Sequence, residues 1–283
     1  MNREHGTSTR STRHGARLAG LLVVGAALAA CGSSSDGTTT STRGAGATAT
    51  LTIMVTNDDG VAASGIDAVV QGLRTLPHTR VSVVAPATNA SGSGGTTTTG
   101  TLATSQATTA SGYPATAVQG YPADTVIWAV SGHGLPFRPD LVVSGINFGQ
   151  NIGPLASISG TVGAARQAVT LGIPALAASQ GADDGASPDF AEAVPLVEHW
   201  VTQHRAALLS RSTGSAPLQA NLNVPTCTPH PVRGPVSTVM AATGDASATT
   251  TVACTSTSTT YTNDLEAFEI GFATLTPLYP PSN

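Results

Sequence analysis

"LTIMVTNDDGVAASGI", residues 51–66, carries a largely apolar run into Asn57-Asp58-Asp59-Gly60 and then opens a second apolar pattern. The first half predicts a buried strand over 49–56. The second predicts a helix over 65–76, capped by Ser64. Two adjacent carboxylates therefore stand where a buried strand ends. Like charges side by side repel, and withdrawing them from water is costly unless something positive lies between them.

The same alternation continues along the chain. "RVSVVAP" (80–86) predicts a second buried strand, stopped by Pro86, and the Gly/Ser/Thr-rich stretch 87–112 reads as loop or flap. Residues 122–134 predict a helix with Pro122 in its first turn, and "DLVVSG" (140–145) a third strand followed by a Gly/Asn loop. Residues 159–172 predict a helix capped by Ser159 and closed by Gly172, and 173–179 a fourth strand. A helix over 187–204 is interrupted by Pro195, and late strands follow at 218–225 and 271–278, with an uncertain Thr-rich arm between them. Short apolar strands alternating with helices imply an α/β domain whose mostly parallel sheet is covered on both faces. In such sheets ligands collect beyond the carboxyl ends of the strands.

Asn57, Asp58 and Asp59 follow strand one; Asn89, Ser91 and Ser93 follow strand two; Ser144, Asn147 and Asn151 close strand three. Three segments thus bring carboxylate, hydroxyl and amide oxygens to one rim, a set that suits Mg²⁺, Mn²⁺ or Ca²⁺ rather than zinc or copper. A divalent cation between the carboxylates offsets their repulsion and keeps both ionised. An isolated Asp-Asp-Gly is an ordinary polar turn; the other two oxygen-rich segments favour the cation. Ser159-Gly160-Thr161 opens a helix, whose free N–H groups and positive dipole end suit an oxyanion. Alone it is a plain serine cap.

The 283-residue chain contains no lysine; all twelve basic residues are arginines. Residues 1–30 join an arginine-bearing start to a short apolar core, Leu18 to Leu28, and read as a secretory signal. Leu28-Ala29-Ala30-Cys31 resembles a bacterial lipobox, with Cys31 the lipidation site of an exported, membrane-anchored lipoprotein; an ordinary cleaved signal is the alternative. Residues 31–47 read as a flexible tether, and 48–283 as the folded domain. Beyond residue 30 there are 8 arginines against 15 acidic residues, a formal net charge of −7. Such a surface argues against a nucleic-acid polymer as partner, and the membrane is reached through the lipid anchor only. Cys227 and Cys254 form an even pair in an exported chain and suggest a disulfide; two free thiols are the alternative. No GxSxG, GxxxxGK or GxGxxG is present, which removes the nucleophile-elbow, P-loop and dinucleotide readings. Arg166 reads as part of a solvated helix face, and Trp128 and Trp200 as core.

In this order, "VTNDDGVAASGI", "GYPADTV", "DLVVSGINFGQNIG", "SGTVGAA", "GIPALAAS", "NLNVP" and "FATLTPL" resemble the SurE-type (survival protein E) 5′/3′-nucleotidase and acid phosphatase family, from about residue 51 to 278. The resemblance implies a three-layer α/β/α, Rossmann-like fold with a C-terminal β-arm at 226–262, the family's dimer-contact region, and hence a homodimer. It implies a phosphomonoesterase acting on nucleoside monophosphates or other small phosphomonoesters with one divalent cation. Its motifs place Asp58 and Asp59 as catalytic, Asp58, Asp59, Ser91 and Asn147 as metal ligands, and Asn57, Asn151, Ser159, Gly160 and Thr161 on the phosphate side. Asp58 would orient or deprotonate the attacking water. The chain departs from the family pattern at Ala87 and Ala90, where Asp and Arg are usual, and at Gln167-Ala168, where Glu precedes Gly. A lipid-anchored binding protein with little or no turnover is the second reading.

Overall fold

The computed structural model describes residues 49–131, 134–181, 190–210, 217–245 and 252–279. The leader, the tether and Cys31 lie outside the described residues, as does His133.

Strand β1 (Leu51–Thr56) lies between β2 (Thr79–Pro86) and β5 (Leu141–Phe148), parallel to both. With β3 (Thr104–Thr108), β4 (Pro114–Val118), β6 (Ala175–Gln180), β7 (Gln219–Val224), β8 (Arg233–Ser237) and β9 (Phe272–Thr276) they make one nine-stranded sheet, ordered β3-β4-β2-β1-β5-β6-β7-β9-β8. The six strands from β4 to β7 in that order are all parallel; β3 and β9 run antiparallel to β4 and β7.

Burial on both faces explains why β1 reads as a continuous apolar run instead of an alternating one. Ile53 and Val55 join the core under α1 (Ser64–Thr75) and α4 (Ala193–Ser210). Met54 points the other way, toward α2 (Pro122–Val130) and α3 (Gly160–Thr170). Helix α1 buries Ile66, Val69, Val70 and Leu73, a single apolar stripe at helical spacing. Each such fully buried aliphatic side chain contributes about 1.5–3 kcal/mol. The outcome is the three-layer α/β/α architecture expected from the sequence. No helix among the described residues is long and apolar enough to cross a membrane.

Local expectations differ in five places. Helix α1 begins at Ser64 itself; Ala63 occupies the cap position and no side chain caps it. The stretch 87–112, read as loop, contains edge strand β3, whose Thr, Ser and Gln residues lack the apolar content that marks a buried strand. Helix α2 ends at Val130, before Gly134 packs against the Trp128 ring. Pro195 falls in the first turn of α4, where a missing N–H costs nothing, so it starts the helix and does not interrupt it. Between Met240 and β9 a short helix, α5 (Asp264–Glu269), is capped by the Asn263 side chain.

The Thr-rich segment supplies β8 to the far sheet edge, parallel to β9, and is stapled by the Cys227–Cys254 disulfide. Arg166 is corrected: it does not face solvent. Half-buried, it donates to the carbonyls of Leu278 (2.6 Å) and Ala156 (3.3 Å) and stacks on Tyr279, pinning the C-terminal segment against α3. Trp200 is core, with His204 stacked on it.

Candidate functional site

The chain order reverses at β1: β2 lies on one side and β5 on the other, so a crevice opens at their carboxyl ends. Asn57 to Gly60 line it from β1, the loop after Pro86 from β2, and Asn147 from β5. The start of α3 closes it.

Asp58 is 3% exposed, and its Oδ1 accepts a hydrogen bond from the Thr161 hydroxyl at 2.5 Å. Burial pushes its carboxyl above the usual range; the Thr161 hydroxyl and the backbone amides of Thr161 and Gly160 pull it part of the way back. The approach to α3 is close. A Cβ on Gly160 would sit 2.8 Å from both the Asp58 Cβ and the Ser93 Oγ, so only glycine fits. Ser159 caps the helix, its Oγ accepting from the Val162 N–H at 3.1 Å. Ser159, Gly160 and Thr161 therefore sit where the sequence placed them.

Asp59 has a different setting. Burial, joined by repulsion from Asp58, pushes its carboxyl up to about 6, while the Phe148 N–H, donating to Oδ2 at 3.1 Å, lowers it. The groups acting on the two carboxylates are hydroxyls, amides and each other. That is a site whose negative charge calls for a cation.

The second loop is tied to the first: the Ala90 N–H donates to the Asp58 carbonyl at 2.7 Å, and the Val61 N–H to the Pro86 carbonyl at 2.9 Å. Ser91, next in the chain, is exposed, with its N–H on Asn89 Oδ1. Asn147 lies on β5 and not in the following loop, just past a register shift between Ser144 and Asn147. Its Nδ2 donates to the carbonyls of Gly149 (2.7 Å) and Phe148 (3.2 Å), which fixes the amide.

Asn151 belongs to a buried amide cluster instead. Its Nδ2 donates to the Ser179 Oγ, its N–H to Asn223 Oδ1, and its carbonyl accepts from Asn221 and Asn223. The "NLNVP" motif thus holds the Gly/Asn loop from below. Asn57 donates to the Gly60 carbonyl, closing the turn, while its Oδ1 is buried and has no partner among the described residues.

Sequence reasoning named Ser93 among the rim oxygens and missed one neighbour of the site, Phe148. The Ser93 Oγ is buried without a partner beside Asp58 and Gly160. Phe148 holds Asp59 through its backbone, an interaction no side-chain pattern encodes. The donor set passes a test for a hard cation: two carboxylates, neutral oxygens and an orphaned buried amide oxygen at Asn57. Among the described residues no group of three or more His, Cys, Asp or Glu side chains is gathered to hold a metal ion, so any cation here would rest on the Asp pair with neutral oxygens.

Comparison with known proteins agrees with this architecture. The family model for survival protein SurE matches residues 53–247. A protein named 5′-nucleotidase SurE from Pelobacter propionicus is 39% identical over 186 residues, covering 66% of this chain and 70% of that one. Another of that name from Chloroflexus aggregans is 40% identical over 196 residues, covering 64% and 69%. The crystal structure of the SurE protein from Aquifex aeolicus matches with a TM-score of 0.62 at 26% identity, covering 82% of this chain and 95% of that one. With the Asp pair, the capped α3 start and the Asn147 strand end all lying inside the matched span, the chain belongs to the survival protein SurE family.

Proposed function

We propose that this protein is a divalent-metal-dependent phosphomonoesterase that releases phosphate from nucleoside monophosphates. The observation that carries the reading is the contact between Asp58 and the first turn of α3: a buried carboxylate held by the Thr161 hydroxyl and the first helix amides. The relatives' name, 5′-nucleotidase, points to the same substrate class.

Asp58, Asp59, Ser91 and Asn147 would hold one Mg²⁺ or Mn²⁺, which when bound supplies Lewis-acid stabilisation of charge on a phosphoryl group. The rest falls to the chain's own groups. The Ser93 hydroxyl, buried without a partner among the described residues, donates to a phosphoryl oxygen, and the helix dipole favours the charge there. Asp58, its carboxyl raised above the usual range by burial, orients the water that attacks phosphorus. As that P–O bond forms, the ester P–O bond breaks, the nucleoside oxygen leaves with a proton, and inorganic phosphate remains.

The leader residues, with Cys31 at their end, support action outside the cytoplasm from a lipid anchor. The second reading, binding with little or no turnover, rests on Ala90, which stands where the family's arginine is usual. Phosphate release from AMP decides between them. Activity that is lost with a chelator and restored by Mn²⁺ or Mg²⁺ supports the enzyme; nucleotide binding without release under either ion supports the second reading.

A further inference from the structure

Phe148 ends β5 and is 47% exposed. The chain contains five phenylalanines, and the other four are placed differently. Phe190 and Phe268 are buried; Phe272 stacks on Tyr261 beneath Arg233, and Phe137 lies under Arg80. Among the described residues no ring or cation packs on Phe148. A solitary exposed apolar residue is ordinary on a protein surface. What distinguishes this one is its backbone.

Both peptide groups of Phe148 are fixed to the site. Its N–H donates to Asp59 Oδ2 at 3.1 Å, and its carbonyl accepts from Asn147 Nδ2 at 3.2 Å. The next N–H, of Gly149, is held by the Gln180 carbonyl at 2.7 Å. The ring is therefore presented from a rigid strand end, on the very residue that positions one of the two carboxylates. Ile158, one residue before the Ser159 cap that opens α3, is 56% exposed, with its carbonyl accepting from the Gly94 N–H at 2.9 Å. Exposed apolar side chains on segments that adjoin a polar site suit a ligand that is anionic at one end and flat and apolar at the other.

We propose that Phe148 is the nucleobase platform of this site and its specificity-determining residue. Its ring stacks on the base of a nucleoside monophosphate whose phosphate lies against Asp58, Asp59 and the start of α3. This deepens the phosphomonoesterase reading above and rests on it. Every base offers a π-face, so the platform favours nucleotides over sugar phosphates without selecting one base.

The test compares AMP with ribose 5-phosphate, which carries the same ribosyl phosphate and no base. Full-length protein with Mn²⁺ is assayed for kcat/KM and, separately, for binding of each compound by calorimetry. In Phe148→Ala the AMP-to-ribose-5-phosphate ratio falls about tenfold, through KM and Kd, and Phe148→Trp restores it. An unchanged ratio overturns the proposal. So does a Phe148→Ala protein whose mass in solution changes while the ratio does not, since the ring then belongs to a contact between copies. Should the wild type release no phosphate from either compound, the enzyme reading fails, and the calorimetric ratio still decides the role of Phe148.

Discussion

The Thr161 hydroxyl donates to Asp58 at 2.5 Å, joining the end of β1 to the first turn of α3 across 103 residues of chain. It favours the ionised carboxylate against the burial that opposes it. Thr161→Val keeps the shape and removes that donor, so the Asp58 carboxyl rises further. The acid limb of the pH–rate profile then moves to higher pH and kcat falls by about tenfold or more. Thr161→Ser restores both. Asp58→Asn, measured beside them with AMP, abolishes turnover while circular dichroism stays unchanged.

Asp59 allows the pH dependence of cation binding to be signed. Its carboxyl in the cation-free protein is pushed up to about 6, chiefly by burial. A raised pKa contributes stability that is fully present below the unfolded value of about 3.9 and is lost as pH rises through the folded one. A bound cation needs the ionised form and reverses this. The melting-temperature gain from saturating Mn²⁺ is therefore small near pH 5 and grows as pH passes 6 to about 7.5. A gain independent of pH would place the ion away from Asp59.

The core strands and the helix start were legible because their physics is local. β1, β2, β5 and β6 are continuous apolar runs, and Ser159-Gly160-Thr161 is a serine cap followed by the one residue small enough to meet Asp58. The Asp pair was legible as a charge problem. β3 escaped because an exposed edge strand needs no apolar residues, and α5 because it is short and starts from a side-chain cap. Arg166 was misread since its partners, Leu278 and Ala156, are backbone carbonyls that only the fold brings near. Phe148 escaped for the same reason: its backbone amide meets Asp59 only when the fold brings the two segments together.

The Cys227–Cys254 bridge closes a loop of sequence separation 27 in a segment poor in apolar residues. Loop-closure entropy of that length is worth about 3.5 kcal/mol to the folded state. The double substitution to serine lowers the denaturation midpoint accordingly, and limited proteolysis cuts first between the two positions. Among the described residues neither cysteine is hydrogen-bonded to a residue of the candidate site, so kcat on AMP in the folded variant is retained.

Asp67 on α1 holds the hairpin of β3 and β4 to the rest of the fold. Its Oδ1 accepts from the Thr109 hydroxyl (2.5 Å) and the Ser111 N–H (3.1 Å), and its Oδ2 from the Ser111 hydroxyl (2.5 Å). Burial tends to raise this carboxyl, but the Ser111 and Thr109 bonds outweigh it and hold it below the usual range. A depressed pKa contributes stability that is present above the unfolded value of about 3.9 and lost as pH falls through the folded one. The site is open to water, so the whole cluster is worth only about 1 kcal/mol. Asp67→Asn, which keeps one acceptor and loses the charge, lowers stability at neutral pH by up to that amount, and the gap to wild type closes in strong acid. Hydrogen exchange speeds up in 104–118 more than in β1 or β5, because among the described residues β3 pairs only with β4 and this carboxylate anchors the turn between them. Uniform acceleration across the sheet would mean that the hairpin and the parallel core open as one unit.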